Sequence, residues 1–196
     1  MIRRVSAAER DTLVSVLVRA FDADPVANYL LRQDAKRARA FELAFGTLVD
    51  HLILPEGEAY LAGDADGVAL WCPPDRWEVG LGRTLPMVPS LARAVGLSRA
   101  LKMARAMAVV QDRHPKEPHW YLFAIGVDPE RQGRGIGGAL LAHLLEREDV
   151  RAAPAYLEAS TEGSSRLYER YGFQTTEVLH MAHDAPPLWL MWRPAR

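Results

Sequence analysis

A glycine-rich segment that follows a strand-like run is the feature that most constrains this chain. The apolar run Trp120–Val127 meets a short polar turn, residues 128–132, before the glycines Gly133, Gly135 and Gly137. An apolar helical pattern then continues. Backbone N–H groups at a helix N-terminus have no intrahelical partners, and the helix dipole adds partial positive charge there. Because glycine lets a ligand approach the backbone closely, this segment predicts a site for phosphate or pyrophosphate.

Two common phosphate-binding patterns can be compared with this segment. Residues 133–138 satisfy G-x-G-x-x-G, and Glu158 lies about twenty residues further on, as in dinucleotide-binding domains. In that motif, however, the first glycine follows its strand almost directly, whereas here polar turn residues intervene. Too little chain follows for two βαβαβ halves, so a nicotinamide-dependent enzyme is disfavoured. A P-loop is excluded because no Gly-Lys-Ser/Thr follows.

A different spacing, Gln132-x-x-Gly135-x-Gly137, resembles the signature of the GNAT superfamily of N-acyltransferases. Downstream, RLYERYGF (residues 166–173) follows the strand-like residues 155–160 and resembles the Leu-Tyr-x-x-x-Gly-Phe segment of the same family. Two motifs in the right order and strand–helix context identify the chain as a member. The likeness is densest after Pro115 and is greatest to puromycin N-acetyltransferase-like members.

The resemblance implies a fold and a co-substrate. The fold is the α+β GNAT (acyl-CoA N-acyltransferase) fold, with a mixed, mainly antiparallel central sheet splayed between strands 4 and 5 and flanked by helices. Acetyl-CoA is the implied acetyl donor, with its pyrophosphate held by the loop amides, and Thr161 stands near the pantetheine arm where asparagine is common. The residues that the resemblance assigns to acetyl-CoA binding are Ile125, Gly126, Val127, Gln132, Gly133, Arg134, Gly135, Ile136, Gly137, Thr161 and Ser164.

The resemblance also implies a general acid. An amine that attacks a thioester displaces a thiolate, whose conjugate acid has a pKa of about 8.5 by analogy with cysteine. A tyrosine, with a pKa of about 10, is a usable proton donor when it is held close. Tyr168 matches the family's tyrosine in this role, and packing of an amphipathic ring on the sheet is the alternative.

The general base is left open between three residues. Glu158 lies in a strand-like run, where Leu157 and Ala159 would occupy the opposite face by period-two alternation. If those two face the core, Glu158 faces the site. Tyr121 and His119 compete for the role, although His119 is interpreted as a surface residue after a proline.

Other residues with reactive side chains are given structural interpretations. Cys72 ends an apolar run, which predicts a buried small hydrophobe and not an acyl-carrying thiol. His180-x-x-His183 has too few convergent ligands, so no metal is expected. Asp22 and Asp24 are interpreted as helix-terminating, with recognition of a cationic acceptor as the alternative. Three tryptophans are expected in the core or the pocket wall: Trp71, Trp77 and Trp120.

Composition limits the class of protein. The chain has 196 residues, 49% of them hydrophobic and 25% charged, so a single domain over residues 1–196 is expected. The formal net charge of −1 gives no electrostatic case for nucleic acid or membrane binding. With one cysteine and no apolar signal segment at the N-terminus, a cytoplasmic monomer or homodimer is expected.

Periodicity predicts mixed secondary structure. Strands are expected near residues 2–5, 58–62, 68–72, 120–127, 155–160, 175–181 and 188–192. Helices are expected from Ser6, from Asp34 to about Leu52, over residues 90–110, after the glycine segment and around Tyr168, with residues 75–89 irregular.

The sequence therefore predicts transfer of an acetyl group from acetyl-CoA directly to a primary amine of a small molecule, such as an aminonucleoside or antibiotic-like compound. Two alternatives stay open. One is a catalytically silent acyl-CoA-binding sensor or regulatory domain, and the other is a protein or peptide N-acetyltransferase.

Overall fold

The computed structural model describes residues 1–77 and 81–196, with only the backbone described for residues 81–84. One seven-stranded sheet runs through this part of the chain in the order β1-β2-β3-β4-β5-β7-β6. The strands are β1 (Ile2–Arg4), β2 (Glu58–Ala62), β3 (Gly67–Cys72), β4 (Trp120–Val127), β5 (Ala155–Ala159), β6 (Gln174–His180) and β7 (Pro187–Arg193). These bounds agree with the predicted strands to within one or two residues.

Helices cover both faces of the sheet. They are α1 (Arg10–Ala20), α2 (Pro25–Leu30), α3 (Arg37–Leu48), α4 (Leu81–Val95), α5 (Leu97–Arg113), α6 (Ile136–Leu145), α7 (Glu148–Arg151) and α8 (Glu162–Glu169). The apolar faces of α1 and α3 pack on one side of the sheet, against β2 and β3. The apolar faces of α6 and α8 pack on the other side, so each face of the sheet has its own hydrophobic cluster.

The sheet opens between its two parallel strands. All neighbouring strands are antiparallel except β4 and β5, which pair in parallel only from Trp120↔Ala155 to Leu122↔Leu157. At that point β4 also carries a bulge, since Leu70 pairs with Ala124 and Trp71 with Leu122, which leaves Phe123 unpaired. A bulge bends its strand. The remaining five residues of β4 therefore diverge from β5, and the splayed GNAT sheet predicted from the resemblance is confirmed.

Three helix predictions need correction. The predicted helix 34–52 begins at Arg37, because the Asp34 carboxylate accepts the Lys36 N–H (2.9 Å) one turn earlier, and it ends in the π-helical turn Val49–Ile53. The predicted helix 90–110 is two helices that meet at Gly96, whose φ of 83° breaks the helical path.

Part of the segment predicted to be irregular is helical, because α4 starts at Leu81 and accommodates Pro86 and Pro89; residues 78–80 of that segment lie outside the described residues. Helix α2 was not predicted, because its six residues are too few to show a period. Within the described part of the chain, no helix is long and apolar enough to cross a membrane.

Candidate active site

The opening between β4 and β5 forms a cleft of about 990 Å³. One end of it is lined by the glycine loop and the start of α6, and the middle by β4, β5 and α8. The other end lies between α2, α3 and α5. The cleft therefore joins a loop that can bind phosphate to an apolar chamber, with β4 and β5 between them.

The glycine loop is ordered by its own polar contacts. The Asp128 carboxylate accepts the Glu130 N–H (3.0 Å) and pairs with Arg19 (2.6 Å), while the Gln132 amide donates to the Val127 carbonyl (3.2 Å). These bonds fix the turn that carries the chain from β4 to α6. Gly135 is the N-cap of α6 and has the left-handed conformation (φ 78°, ψ 3°).

The first turn of α6 has amides without helical partners. The first α-helical bond runs from the Ala139 N–H to the Gly135 carbonyl (2.9 Å), so the three N–H groups of residues 136–138 have no intrahelical acceptor, and two of these residues, Ile136 and Gly137, line the cleft. Apart from its chain neighbours, a Cβ at Gly133 or Gly135 would meet no atom of the described residues within 4 Å. The space beside these glycines is open, which fits an anionic ligand lying against the backbone.

Helix α8 forms the facing wall. The Thr161 hydroxyl caps it by accepting the Ser164 N–H (3.1 Å), and the Ser164 hydroxyl donates to the Thr161 carbonyl (2.8 Å). Both residues line the cleft. Two turns further along, Tyr168 also lines the cleft and has 6% of its surface exposed. Burial raises the pKa of Tyr168, and the nearby charge of Asp24 adds to the effect.

Glu158 lies on the cleft side of β5. Its neighbours Leu157 and Ala159 pack in the hydrophobic cluster with α6, as alternation requires. The Tyr121 hydroxyl donates to Glu158 Oε2 (2.7 Å), and burial followed by the charge of Glu158 raises the pKa of Tyr121. Glu158 Oε1 is buried without a hydrogen bond, although the side chain is 10% exposed and lines the cleft.

A pair of buried histidines lies behind Glu158. His119 is fully buried, so the surface position predicted for it is wrong. Its Nδ1 lies 2.6 Å from the Glu117 carbonyl oxygen, and its Nε2 lies 3.0 Å from Nε2 of His114. Burial lowers the pKa of His119, and the adjacent His114 lowers it further.

The hydrogen bonds of this pair determine where their protons lie when both rings are neutral. A carbonyl only accepts, so His119 Nδ1 carries a proton and its Nε2 accepts one from His114. His114 Nδ1 is then unprotonated, and it lies 3.5 Å from Glu158 Oε1. These two atoms are both acceptors. If Glu158 took up a proton on Oε1, it could donate a hydrogen bond to His114 Nδ1.

Sequence reasoning missed His114. It lies just after α5, in a segment without periodicity, and its contact with Glu158 joins positions far apart in the chain. The ring of Trp77 stacks on His114, with centroids 3.7 Å apart, which explains the burial of this tryptophan. The sequence offered one signal for this cluster: His114, His119 and Trp120 flank a Pro-Lys-Glu-Pro turn.

All but one of the predicted site residues line the cleft. The exception is Arg134, whose side chain is exposed outside it, whereas Arg131 lines the cleft and pairs with Asp66 (3.2 Å). The residues that the cleft brings together are Ile125, Gly126, Val127, Gln132, Gly133, Gly135, Ile136, Gly137, Glu158, Thr161, Ser164 and Tyr168.

The other residues considered for the site are helix caps or buried core residues. Asp24 caps α2 by accepting the N–H groups of Val26 (3.0 Å) and Ala27 (2.8 Å), and it accepts a hydrogen bond from Ser160. Cys72 is buried in the core, and the three tryptophans are buried outside the cleft. Among the described residues, no group of three or more histidine, cysteine or acidic side chains could hold a metal ion.

The chain is similar to known acetyltransferases in sequence. Residues 95–175 match the family model described as Acetyltransferase (GNAT) domain. An uncharacterized N-acetyltransferase of Schizosaccharomyces pombe is 25% identical over 97% of this chain and 82% of its own length. A mycothiol acetyltransferase of Streptomyces griseus is 38% identical over 68 residues, which span 22% of that protein.

Solved structures extend the likeness to the whole chain. One, described as histone acetyltransferase HPA2 and related acetyltransferase from Corynebacterium glutamicum, superimposes with a TM-score of 0.77 at 26% identity, over 100% of this chain and 96% of that one. The ribosomal-protein-S18-alanine N-acetyltransferase of Escherichia coli gives a TM-score of 0.56 at 17% identity, over 100% and 93%. We conclude that the chain has the GNAT fold and that its residues 95–175 are similar in sequence to the GNAT acetyltransferase domain.

Proposed function

We propose that the protein, as a single domain, transfers the acetyl group of acetyl-CoA directly to a primary amine of a small molecule. One observation carries this proposal: the glycine loop, Glu158 and Tyr168 line the same cleft. A phosphate-binding loop, a protonated phenol for the leaving thiolate and a carboxylate for the attacking amine are the groups that the reaction needs.

The loop fits the donor. GNAT proteins use acetyl-CoA, and its pyrophosphate needs several N–H donors and no side chain in the way. The free amides of Ile136 and Gly137, which line the cleft, and the open space at Gly133 and Gly135 fit these two requirements. Arg131 at the same end adds positive charge, although its pairing with Asp66 reduces it.

Glu158 is proposed as the general base. An attacking amine must lose a proton, and a positioned carboxylate can accept it directly or through one water. A proton that arrives on Glu158 would gain the hydrogen bond to His114 that Oε1 lacks. Neither alternative base fits as well, since Tyr121 has a raised pKa and donates to Glu158, while His119 does not line the cleft.

Tyr168 is proposed as the general acid. Its raised pKa keeps the hydroxyl protonated over the whole neutral range, so the proton is present when the thiolate leaves. The same raised pKa makes it a weaker acid in water. A thiolate formed in the same apolar cleft is also destabilised by loss of water, however, so its own affinity for the proton rises in parallel.

A direct transfer is favoured over an acyl-enzyme. Cys72 is the only cysteine of the chain, it is 3% exposed, and it does not line the cleft. We therefore expect the amine to attack the thioester itself.

Release of free thiol from acetyl-CoA, measured with and without a panel of primary amines, tests the proposal when the N-acetylated product is identified by mass spectrometry. We expect amine-dependent release. The variant Glu158→Gln keeps an acceptor for Tyr121 and offers N–H to His114, so it should fold normally while kcat falls about a hundred- to ten-thousandfold. Saturable acetyl-CoA binding without turnover of any amine would favour the silent sensor, and turnover of peptides alone would favour the protein-modifying alternative.

A further inference from the structure

Away from the glycine loop, the wall of the cleft is apolar. It includes Leu30 on α2 and the α5 residues Met103, Met107 and Val110, of which Leu30 and Val110 pack with Tyr121 near the start of β4. Phe21 and Phe45 also line the cleft but lie nearer the loop, with Phe21 beside Gly126. The three α5 residues are spaced by four and three positions, so they form one face of that helix. Methionine side chains are flexible and adapt to apolar ligands of different shape.

Few charges line the cleft. Among the described residues the charged ones are Asp24, Arg131, Glu158 and Arg170, and the two arginines lie on the glycine loop and just after α8. Asp24 is engaged by the amides of α2 and by Ser160. Glu158 is therefore the carboxylate of the described cleft wall that no backbone amide engages, and its side chain is 10% exposed there.

We infer that the acceptor is a primary amine whose own ammonium is its only cationic group. The rest of the acceptor is an apolar body that occupies the chamber between α2, α3 and α5. This inference rests on the proposed function and specifies its substrate class. A single ammonium would be attracted to Glu158, and the apolar body would displace water from the wall formed by Leu30, Met103 and Met107. A second ammonium would have to leave water beside apolar side chains without a partner, which is strongly unfavourable.

A pair of substrates of equal length tests this inference. Hexylamine and 1,5-diaminopentane have the same number of heavy atoms and differ only in a terminal methyl against a terminal ammonium. We expect kcat/KM for hexylamine to exceed that for the diamine by at least about a hundredfold. Because each buried methylene contributes free energy, hexylamine should also exceed butylamine by several-fold for each added methylene.

A charge placed on the chamber wall should weaken the preference for hexylamine. Met107 is 39% exposed, so Met107→Glu can be accommodated, and its carboxylate would pair with the far ammonium of the diamine. We expect the hexylamine-to-diamine ratio of kcat/KM to fall at least tenfold in this variant. Leu101→Glu is the matched control, because Leu101 lies on the same helix, is 54% exposed and does not line the cleft. That variant should keep the wild-type ratio.

Each outcome distinguishes the two proposals. A wild-type enzyme that acetylates the diamine as well as hexylamine, or better, would overturn the inferred substrate class while leaving the proposed function intact. An unchanged ratio in folded Met107→Glu would show that the α5 face does not contact the acceptor, which also contradicts the inference. If Met107→Glu fails to fold, the wild-type ratio decides alone. Absence of turnover with every amine, despite acetyl-CoA binding, would instead refute the proposed function, and the inference with it.

Discussion

At the scale of single residues, Tyr168 belongs to the Leu-Tyr-x-x-x-Gly-Phe segment and lies almost fully buried in the wall of the cleft. Tyr168→Phe keeps the ring and its packing but removes the proton proposed for the leaving thiolate. We expect kcat to fall about a hundred- to ten-thousandfold, while the Kd of acetyl-CoA changes only a few-fold. The measurement is steady-state kinetics, with the Kd obtained by calorimetry.

Two comparisons separate the acid from a packing residue. Tyr171→Phe removes a hydroxyl from a tyrosine that packs beside α6 and does not line the cleft, so its kcat should stay near that of the wild type. The loss in Tyr168→Phe should shrink with acyl donors whose thiol leaves more easily, because they need less protonation. A loss that persists unchanged with such donors would mean that Tyr168 orients the thioester.

His119 makes the stability of the protein depend on pH. Its pKa is lowered in the folded state from the ordinary value of 6.5, so the unfolded chain binds a proton that the folded chain does not. The free energy of unfolding should be fully retained above pH 6.5 and should decrease as pH falls below it, by up to about 1.4 kcal/mol per pH unit. Denaturant unfolding at several pH values between 7.5 and 5 measures this slope.

His119→Asn is the informative variant, since an amide can still donate to the Glu117 carbonyl but does not titrate. It should reduce the slope of unfolding free energy below pH 6.5. His183→Asn, at an exposed position, should leave that slope as it is in the wild type. Equal slopes in wild type and His119→Asn would show that His119 titrates alike in folded and unfolded chains.

The role or burial of a single residue could be predicted when it depends on its neighbours in the sequence, and not when it depends on contacts with distant parts of the chain. Tyr168 and the glycines lie in motifs whose spacing is set by one helix turn or one loop, so the sequence shows them. His114 and the burial of His119 depend on contacts with Trp77 and Glu158 from other elements. Such contacts leave no local pattern, which explains why His119 was expected at the surface.

At the scale of elements, the loop between β4 and α6 makes a prediction of its own. Gly135→Val should weaken acetyl-CoA binding at least tenfold, because a branched side chain would fill the space beside the free amides of α6 and resist the left-handed backbone. Calorimetric titration with acetyl-CoA measures the loss.

Gly96→Val controls for backbone strain. Gly96 has φ 83° and ψ 157°, which is at least as unfavourable for valine, and it lies between α4 and α5 outside the cleft lining. Both variants should lose about 1–3 kcal/mol of stability. Only Gly135→Val should lose binding, and comparable weakening in both would point to a general effect on folding.

The strands were predictable and several helix ends were not, for physical reasons. Strands such as β3 and β4 are short apolar runs that end at turn residues, and such runs are visible in the sequence. Helix α2 has six residues, less than two turns, and its cap Asp24 was interpreted as the end of the preceding helix or as a contact to a cationic acceptor. Prolines 86 and 89 obscured the first half of α4, although the helix accommodates both.

At the scale of the whole molecule, the cleft follows from the topology of the sheet. Because β4 pairs with β5 over only three residues and carries a bulge at Phe123, the two strands separate and leave room between them. The resemblance to GNAT proteins predicted this opening, but no local feature of β4 or β5 shows it. The chamber between α2, α3 and α5 was not predicted, because α2 was missed and the sequence does not show how the helices predicted at α3 and α5 pack together.

We propose that one cleft holds acetyl-CoA and brings its thioester to Glu158 and Tyr168. A crystal structure of the protein with acetyl-CoA would show whether it does. We predict the pyrophosphate against the amides of residues 136–138, and the thioester sulfur within hydrogen-bonding reach of the Tyr168 hydroxyl, with the chamber between α2, α3 and α5 left open for the amine. A pyrophosphate bound elsewhere, or a thioester that lies away from both Tyr168 and Glu158, would contradict the account.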